Sequence, residues 1–403
     1  ISVAVLLCLS SALFAEEVTM APLGYDSTAS RGLGGSHVAY TDNIYSLFVN
    51  PAALQWANER MVFDFTVGFV GPIDKLVKSE TQKSIKDIMK SFGDKDTGSM
   101  TRAFTGLTGI VEGGKLPLGF DLRGPFSFGY TANGLGIGLF SHLTLDTRLI
   151  GTDVDATVYY DFTLPIGMSF NIVKLKDHEL SAGLVLKPFG RVFVTQEMSA
   201  LDFMDFDMDK LDLRMPVIAG GGADLGLMYR FKKDLVLGLT AKDVYTVGYK
   251  VYDVADALDI GSGSSTSSTT DTTYRIPMAL NAGFAYTFRP ANSLYIALMA
   301  DWGNLQNVFT WDDRAHRNPL LDIGAGLELG LFNFLKFRAG IHEMLPSVGF
   351  GLEPAVFKLN LALYGKELGG EPGVNSTMGA ELSITFRPDT KKKNWVWSKP
   401  LVK

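Results

Sequence analysis

Between Phe357 and Tyr364 the chain reads Phe-Lys-Leu-Asn-Leu-Ala-Leu-Tyr. Extended backbone sends successive side chains to opposite sides, so Phe357, Leu359, Leu361 and Leu363 share one face and Lys358, Asn360, Ala362 and Tyr364 the other. The same period of two returns along most of the chain, with no long uninterrupted apolar run after the N-terminus and no cysteine after Cys8. That combination predicts an all-β transmembrane antiparallel barrel, whose strands meet lipid on one side and a lumen on the other.

Segments of about ten alternating residues, separated by turn chemistry, give about fourteen candidate strands. The clearest are Leu135 to Leu145, Leu235 to Ala241, Leu294 to Trp302, Leu321 to Leu329, Leu335 to Ile341, Phe357 to Leu363 and Ala380 to Phe386. Weaker ones are Met61 to Phe69, Leu118 to Tyr130, Thr157 to Phe170, Leu180 to Val194, Ala223 to Phe231, Ile276 to Phe288 and Val348 to Leu352. Short turns at 132–134, 175–178, 232–234, 291–293, Asn333 and Pro354 alternate with long connections at 72–115, 200–220, 252–273 and 304–319. Barrels of the outer membrane have short periplasmic turns and long outer loops, so the long segments face outward.

Asp322, Glu328, Lys336, Arg338, His342, Lys358, Asn360, Glu381 and Arg387 fall on the inward face, with Gly324, Gly326, Gly330 and Gly340 leaving space between them. A Lys or Arg on the lipid face near the midplane costs roughly 2–4 kcal/mol, so this sorting reflects two solvents. A soluble β-sandwich would not account for the loop asymmetry. The 403 residues show no composition break, so one barrel spanning 59–388 is expected, followed by a tail, 389–403. A net charge of −6, with basic residues clustered only at Lys391 to Lys393, gives no nucleic-acid footprint. Residues 1–15 are apolar, end in small residues and precede Glu16 and Glu17, as a secretory leader does, although no basic residue opens them. Cleavage after Ala15 would leave no cysteine.

Residues 16–58 do not alternate. They carry Arg31-Gly32-Leu33-Gly34-Gly35-Ser36 and then Phe48-Val49-Asn50-Pro51-Ala52-Ala53-Leu54. Gly34 and Gly35 permit tight folding and close backbone approach, and Pro51 fixes φ and removes a donor, properties suited to a compact plug. The run from Arg31 to Leu54, between a leader and about fourteen barrel strands, resembles the N-terminal hatch of the FadL family of outer-membrane long-chain fatty acid transporters. That hatch carries Asn-Pro-Ala, matched here by Asn50, Pro51 and Ala52. The resemblance implies a mechanism in which a hydrophobic substrate is caught between outer loops, passes to a pocket above the hatch, and leaves sideways into the membrane lipid. It also implies a monomer that has no cofactor or metal. Gly136, Gly138, Pro125, Pro165 and Pro188 are the positions at which the wall would be distorted.

Ile73 to Phe92 has the spacing of an amphipathic helix, and a second apolar set includes Phe104 and Leu107. Residues 198–217 interleave Phe203, Met204 and Phe206 with aspartates, and such adaptable side chains suit a greasy ligand. These aspartates miss the spacing of a calcium loop. A carboxylate-headed ligand needs a positive anchor, for which Lys336, Arg338 and Lys358 are candidates, with pairing to Glu328 and Glu381 as the alternative. Five scattered histidines show no metal spacing and no Ser/His/Asp grouping, so a non-enzyme is expected. Protein secretion or surface attachment is the competing function.

Overall fold

In the computed structural model the described residues are 17–388 apart from 42, 58, 60, 77, 79–85, 87–89, 91–96, 110–114, 200–214, 233, 254–271, 309–316, 333 and 355. The leader and the C-terminal tail therefore lie outside the described residues, as do Phe203, Met204 and Phe206.

A ring of 14 hydrogen-bonded strands forms the wall. In chain order these are β1 (Val62–Gly71), β2 (Lys115–Arg123, resuming as Phe128–Ala132), β3 (Leu135–Ile150), β4 (Asp153–Thr163, resuming as Ile166–Lys174) and β5 (His178–Ser199). Next come β6 (Pro216–Phe231), β7 (Leu235–Asp253), β8 (Ala279–Ala291, preceded by Thr273–Arg275), β9 (Leu294–Trp302) and β10 (Ile323–Leu331). The last four are β11 (Leu335–His342), β12 (Leu345–Leu352), β13 (Phe357–Glu367) and β14 (Ser376–Phe386). Each pairs antiparallel with its sequence neighbour, and β14 closes on β1 from Met378↔Gly71 to Phe386↔Phe63. Closure leaves no edge strand, the condition for a sheet to sit in hydrocarbon. Among the described residues no helix is long and apolar enough to cross a membrane.

Each predicted strand has an observed counterpart. On β13 Leu361 and Leu363 are exposed while Asn360, Ala362 and Tyr364 are buried, and Leu382 and Ile384 on β14 alternate with Glu381, Ser383 and Thr385 in the same way. Several bounds move. The strand expected from Leu321 starts at Ile323, because Asn318 caps a 3-10 turn, Pro319–Asp322, by accepting from Leu320 N. The loop expected over 200–220 yields its last residues to β6, and β3, β5 and β7 run well past their predicted ends. On β7 a bulge explains the loss of signal: Ala241 pairs with Leu225 and Tyr245 with Ala223, so Lys242, Asp243 and Val244 stand opposite Asp224 alone. Asp243 takes a left-handed φ of 51° there and is buried, so the alternation breaks over these three residues and resumes in the same phase at Tyr245.

Leu361 sits mid-strand on the lipid face. Leu361→Arg is expected to cost about 2–4 kcal/mol in urea titration of the vesicle-inserted protein; a cost near zero would mean that this face does not meet hydrocarbon.

Candidate functional site

Residues 20–59 fold into a plug held by contacts to strands on all sides of the ring. Its elements are short and individually capped. Ser27 Oγ accepts from Ser30 N (3.1 Å) at the start of helix Thr28–Gly32, and Asn43 Oδ1 accepts from Tyr45 N (2.9 Å) at the 3-10 turn Ile44–Leu47. Asn50 caps the turn Pro51–Gln55, where proline fits the first position because its missing N–H would be unpaired anyway.

The Asn-Pro-Ala run has a mechanical reason. Asn50 is fully buried; its Oδ1 accepts from Ala52 N (3.1 Å), and its Nδ2 donates to Val38 O and to Leu227 O of β6 (both 3.2 Å). One amide therefore caps a turn, ties two stretches of plug together and docks both on the wall. At that contact Gly183 of β5 faces the Pro51–Ala52 peptide and Gly226 of β6 faces Asn50, so a Cβ at Gly183 would strike the plug backbone and one at Gly226 the Asn50 side-chain oxygen. Further round the ring Gly238 abuts Val38, Gly324 and Gly340 abut Gly34, and Gly349 abuts Gly32. Inward glycines such as Gly324 and Gly340 thus admit the plug rather than leave open space. Gly34 itself has φ +63°, which with the crowded wall explains a glycine on both sides of the contact.

Polar latches complete the seating. Asp301 Oδ2 on β9 accepts from His37 N (2.5 Å) and Val38 N (2.7 Å), and Tyr40 Oη donates to Glu328 on β10 (2.8 Å). Thr28 Oγ1 donates to Glu381 on β14 (2.6 Å), Tyr45 Oη to Asp64 on β1 (2.6 Å) and Trp56 Nε1 to Glu179 on β5 (3.1 Å). Glu59 Oε1 receives Lys358 Nζ (2.6 Å) and Glu59 Oε2 receives Ile44 N (3.0 Å). Burial alone would raise the Glu59 carboxyl, but Lys358 and Arg387 override it and hold the group below its ordinary value.

These pairs decide where the predicted anchors stand. Lys358 is taken by Glu59 at the base of the plug. Arg338 donates to Glu328 (2.6 Å), Asn360 (2.8 Å) and Glu353 (2.9 Å), and Lys336 lies 2.9 Å from Glu353. All three cations are thus committed to carboxylates; of the two partners expected, Glu328 takes Arg338, whereas Glu381 pairs with Arg123 and the places are filled by Glu59 and Glu353. Leu107 is buried on helix Thr97–Thr108, which also carries Phe104, whose side chain lies outside the described residues. Of the helix expected from Ile73 to Phe92, the described part includes Ile73–Leu76.

The outer part of the plug packs on the wall through apolar clusters. Met20 and Leu23 pack with Phe189, Ile218, Tyr274 and Ile276, and Met20 N donates to Arg275 O. Tyr25 stacks on Phe48 (centroids 4.4 Å apart) and meets Phe140 of β3 edge-on (5.4 Å). Beside them Arg31 pairs with Asp26 (3.3 Å), and each side chain keeps about a third of its surface exposed, 35% and 33%. Burial alone would raise the Asp26 carboxyl, but Arg31, His37 and Lys242 hold it well below the carboxylate range.

The wall is irregular on both sides of β3. Gly124 to Ser127 interrupt β2 opposite Asp64 and Phe65 on one side and Phe140 and Ser141 on the other. Leu164 and Pro165 interrupt β4 opposite Gly138 and Leu139. Gly136 and Gly138, by contrast, keep their rungs with Thr131 and Gly129, and Pro188 stays within a continuous β5 opposite Gly221.

No family model matches the sequence, and no curated protein matches it. Among solved structures, the chain is similar to the Pseudomonas putida toluene transporter TodX (12% identity; 92% of this chain and 100% of that one; TM-score 0.45). It is also similar to the Ralstonia pickettii toluene transporter TbuX (10%; 90% and 98%; TM-score 0.44) and to a Pseudomonas aeruginosa FadL homologue (12%; 91% and 99%; TM-score 0.41). These are barrels of the kind to which the Asn-Pro-Ala resemblance pointed.

Two outcomes follow. Asn50→Ala strands Ala52 N, Val38 O and Leu227 O, each costing about 1–3 kcal/mol where water cannot reach it, so planar-bilayer recordings are expected to show added or noisier conductance; a trace identical to the parent would contradict this seating. The ordinary Glu59 value is 4.5 and the folded one lies lower, so its latch is intact above that pH and is lost as the pH falls through the folded value. Conductance should therefore be unchanged on mild acidification and rise only below pH 4.5, with Glu59→Gln showing the loosened trace at neutral pH.

Proposed function

We propose that the protein is a bacterial outer-membrane barrel for passive uptake of long-chain fatty acids or similar hydrophobic molecules, acting as a monomer. The observation that carries this reading is a plug seated against wall glycines inside a closed barrel, its outer part joined to the wall by apolar clusters. A wide aqueous porin has no use for such a plug, whereas a hydrophobic solute can be handed to lipid without crossing it. Its exit is sideways, at the irregular rungs of Gly124 to Ser127 and Leu164–Pro165 that flank β3 next to the Tyr25–Phe48–Phe140 cluster, where isolated main-chain bonds such as Asp64 N to Ser127 O (2.8 Å) and Gly138 N to Pro165 O (3.2 Å) hold the wall shut until a molecule passes. A molecule leaving there enters lipid without crossing the charged base at Glu328, Arg338 and Glu353. The hatch spans 16–58, and the residues that precede it direct export.

The test is saturable transfer of a fluorescent long-chain fatty acid into vesicles bearing the refolded protein, with a sugar-sized polar solute excluded. Transfer no faster than through a plain barrel of similar size, or free passage of the polar solute, would overturn the proposal.

A further inference from the structure

We propose that Arg31, carried by the plug rather than by the wall, is the receptor for the carboxylate of an amphiphilic ligand, and that the ligand takes the place of Asp26 on it. This deepens the uptake reading and rests on it.

The wall cations are poor candidates on physical grounds. Arg338 and Lys187 are held between two carboxylates each, and Arg191 between Asp161 and the carbonyl of Ala21, all with donor–acceptor distances of 2.9 Å or less. Drawing any of them to a ligand would leave a buried carboxylate unpaired, a cost of several kcal/mol per ion. Arg31 also lies between two carboxylates but is held more loosely by both. Its side chain is 35% exposed to the lumen, its distance to Asp26 is 3.3 Å, its Nε makes no hydrogen bond, and Glu381 Oε2 stands 4.0 Å away. The guanidinium lies over the Tyr364 ring, 5.4 Å from its centroid, which fixes its plane while leaving several of its five donors available. A half-exposed pair of this kind is worth little, so one carboxylate is readily exchanged for another.

Asp26 is also provided for when displaced. His37 Nε2 lies 3.7 Å from its other oxygen. Lys242 sits on the inward face of β7, two rungs outward of Thr240 and four from Gly238, where the wall touches Val38 of the plug. Lys242 makes no ion pair with any described residue. Arg31 and Lys242 thus both act on Asp26, while Glu381, the other carboxylate beside Arg31, is engaged by Arg123. Leu23 and Tyr25, which precede Asp26, are anchored in apolar clusters with the wall, so Asp26 can be displaced as a side chain while its backbone stays in place.

The experiment compares hexadecanoate with its uncharged counterpart hexadecanol by equilibrium binding to the full chain in detergent. The wild type should bind hexadecanoate about tenfold more tightly, the size of one added charged hydrogen bond. Arg31→Gln should bring hexadecanoate down to the affinity of hexadecanol, Arg31→Lys should restore part of the preference, and Asp26→Asn should strengthen hexadecanoate selectively. Should Arg31→Gln fail to fold, as judged by heat-modifiable migration, Asp26→Asn alone decides. An unchanged ratio in Arg31→Gln, or an Asp26→Asn that shifts both ligands together, overturns the assignment while leaving uptake intact. Failure of both compounds to bind the wild type overturns the uptake reading, and this one with it.

Discussion

The structure depends on backbone laid directly against backbone. A plug inside a barrel of this size can be excluded from water only if its irregular main chain comes within contact distance of the wall, and side chains on the wall would hold it off. Glycines at inward positions remove that obstacle where Gly183 meets Pro51, Gly226 meets Asn50 and Gly340 meets Gly34. Close approach then brings the obligation that every buried N–H and C=O be paired. Asn50 meets it on one side of the ring and Asp301 on another, the first by giving two hydrogen bonds and accepting one, the second by accepting two.

Charge is used mainly to close this assembly. Glu328, Arg338, Lys336 and Glu353 form a fully partnered group, with Tyr40 of the plug and Tyr295 of the wall donating to Glu328. Isolated ions would be costly there, and together they confer register more than stability. Toward the outer end buried ion pairs continue in the wall, Lys187 with Asp224 and Asp243 and Arg191 with Asp161, beside the apolar clusters that join plug and wall, and Arg31 with Asp26 remains partly exposed.

The strands were legible because lipid on one face and lumen on the other enforce the period of two over the membrane-spanning length, as on Phe357–Glu367. Beyond that length the pattern weakens, and β5 and β7 continue on ladder pairing, β7 through a bulge that breaks the alternation between Ala241 and Tyr245. Partners of the lumen charges were not legible. Lys358 and Glu59 are 299 positions apart, and no spacing rule connects them. Wall glycines were visible in the sequence as inward residues, but their purpose requires the plug against them. Arg31 was noted only as the start of a glycine-rich run, since nothing local shows that its partner is a half-exposed Asp26.

The central claim is that a hydrophobic molecule passes while the plug stays in place. Ala53 and Met228 pack together, and Cys8 is the one cysteine of the chain, so a disulfide between Ala53→Cys and Met228→Cys would lock plug to wall. The most direct measurement is fatty acid transfer by this double variant before and after reduction. Equal transfer in both states is predicted; transfer that is abolished by the disulfide and restored by reductant would show that the plug must leave, and would contradict the account.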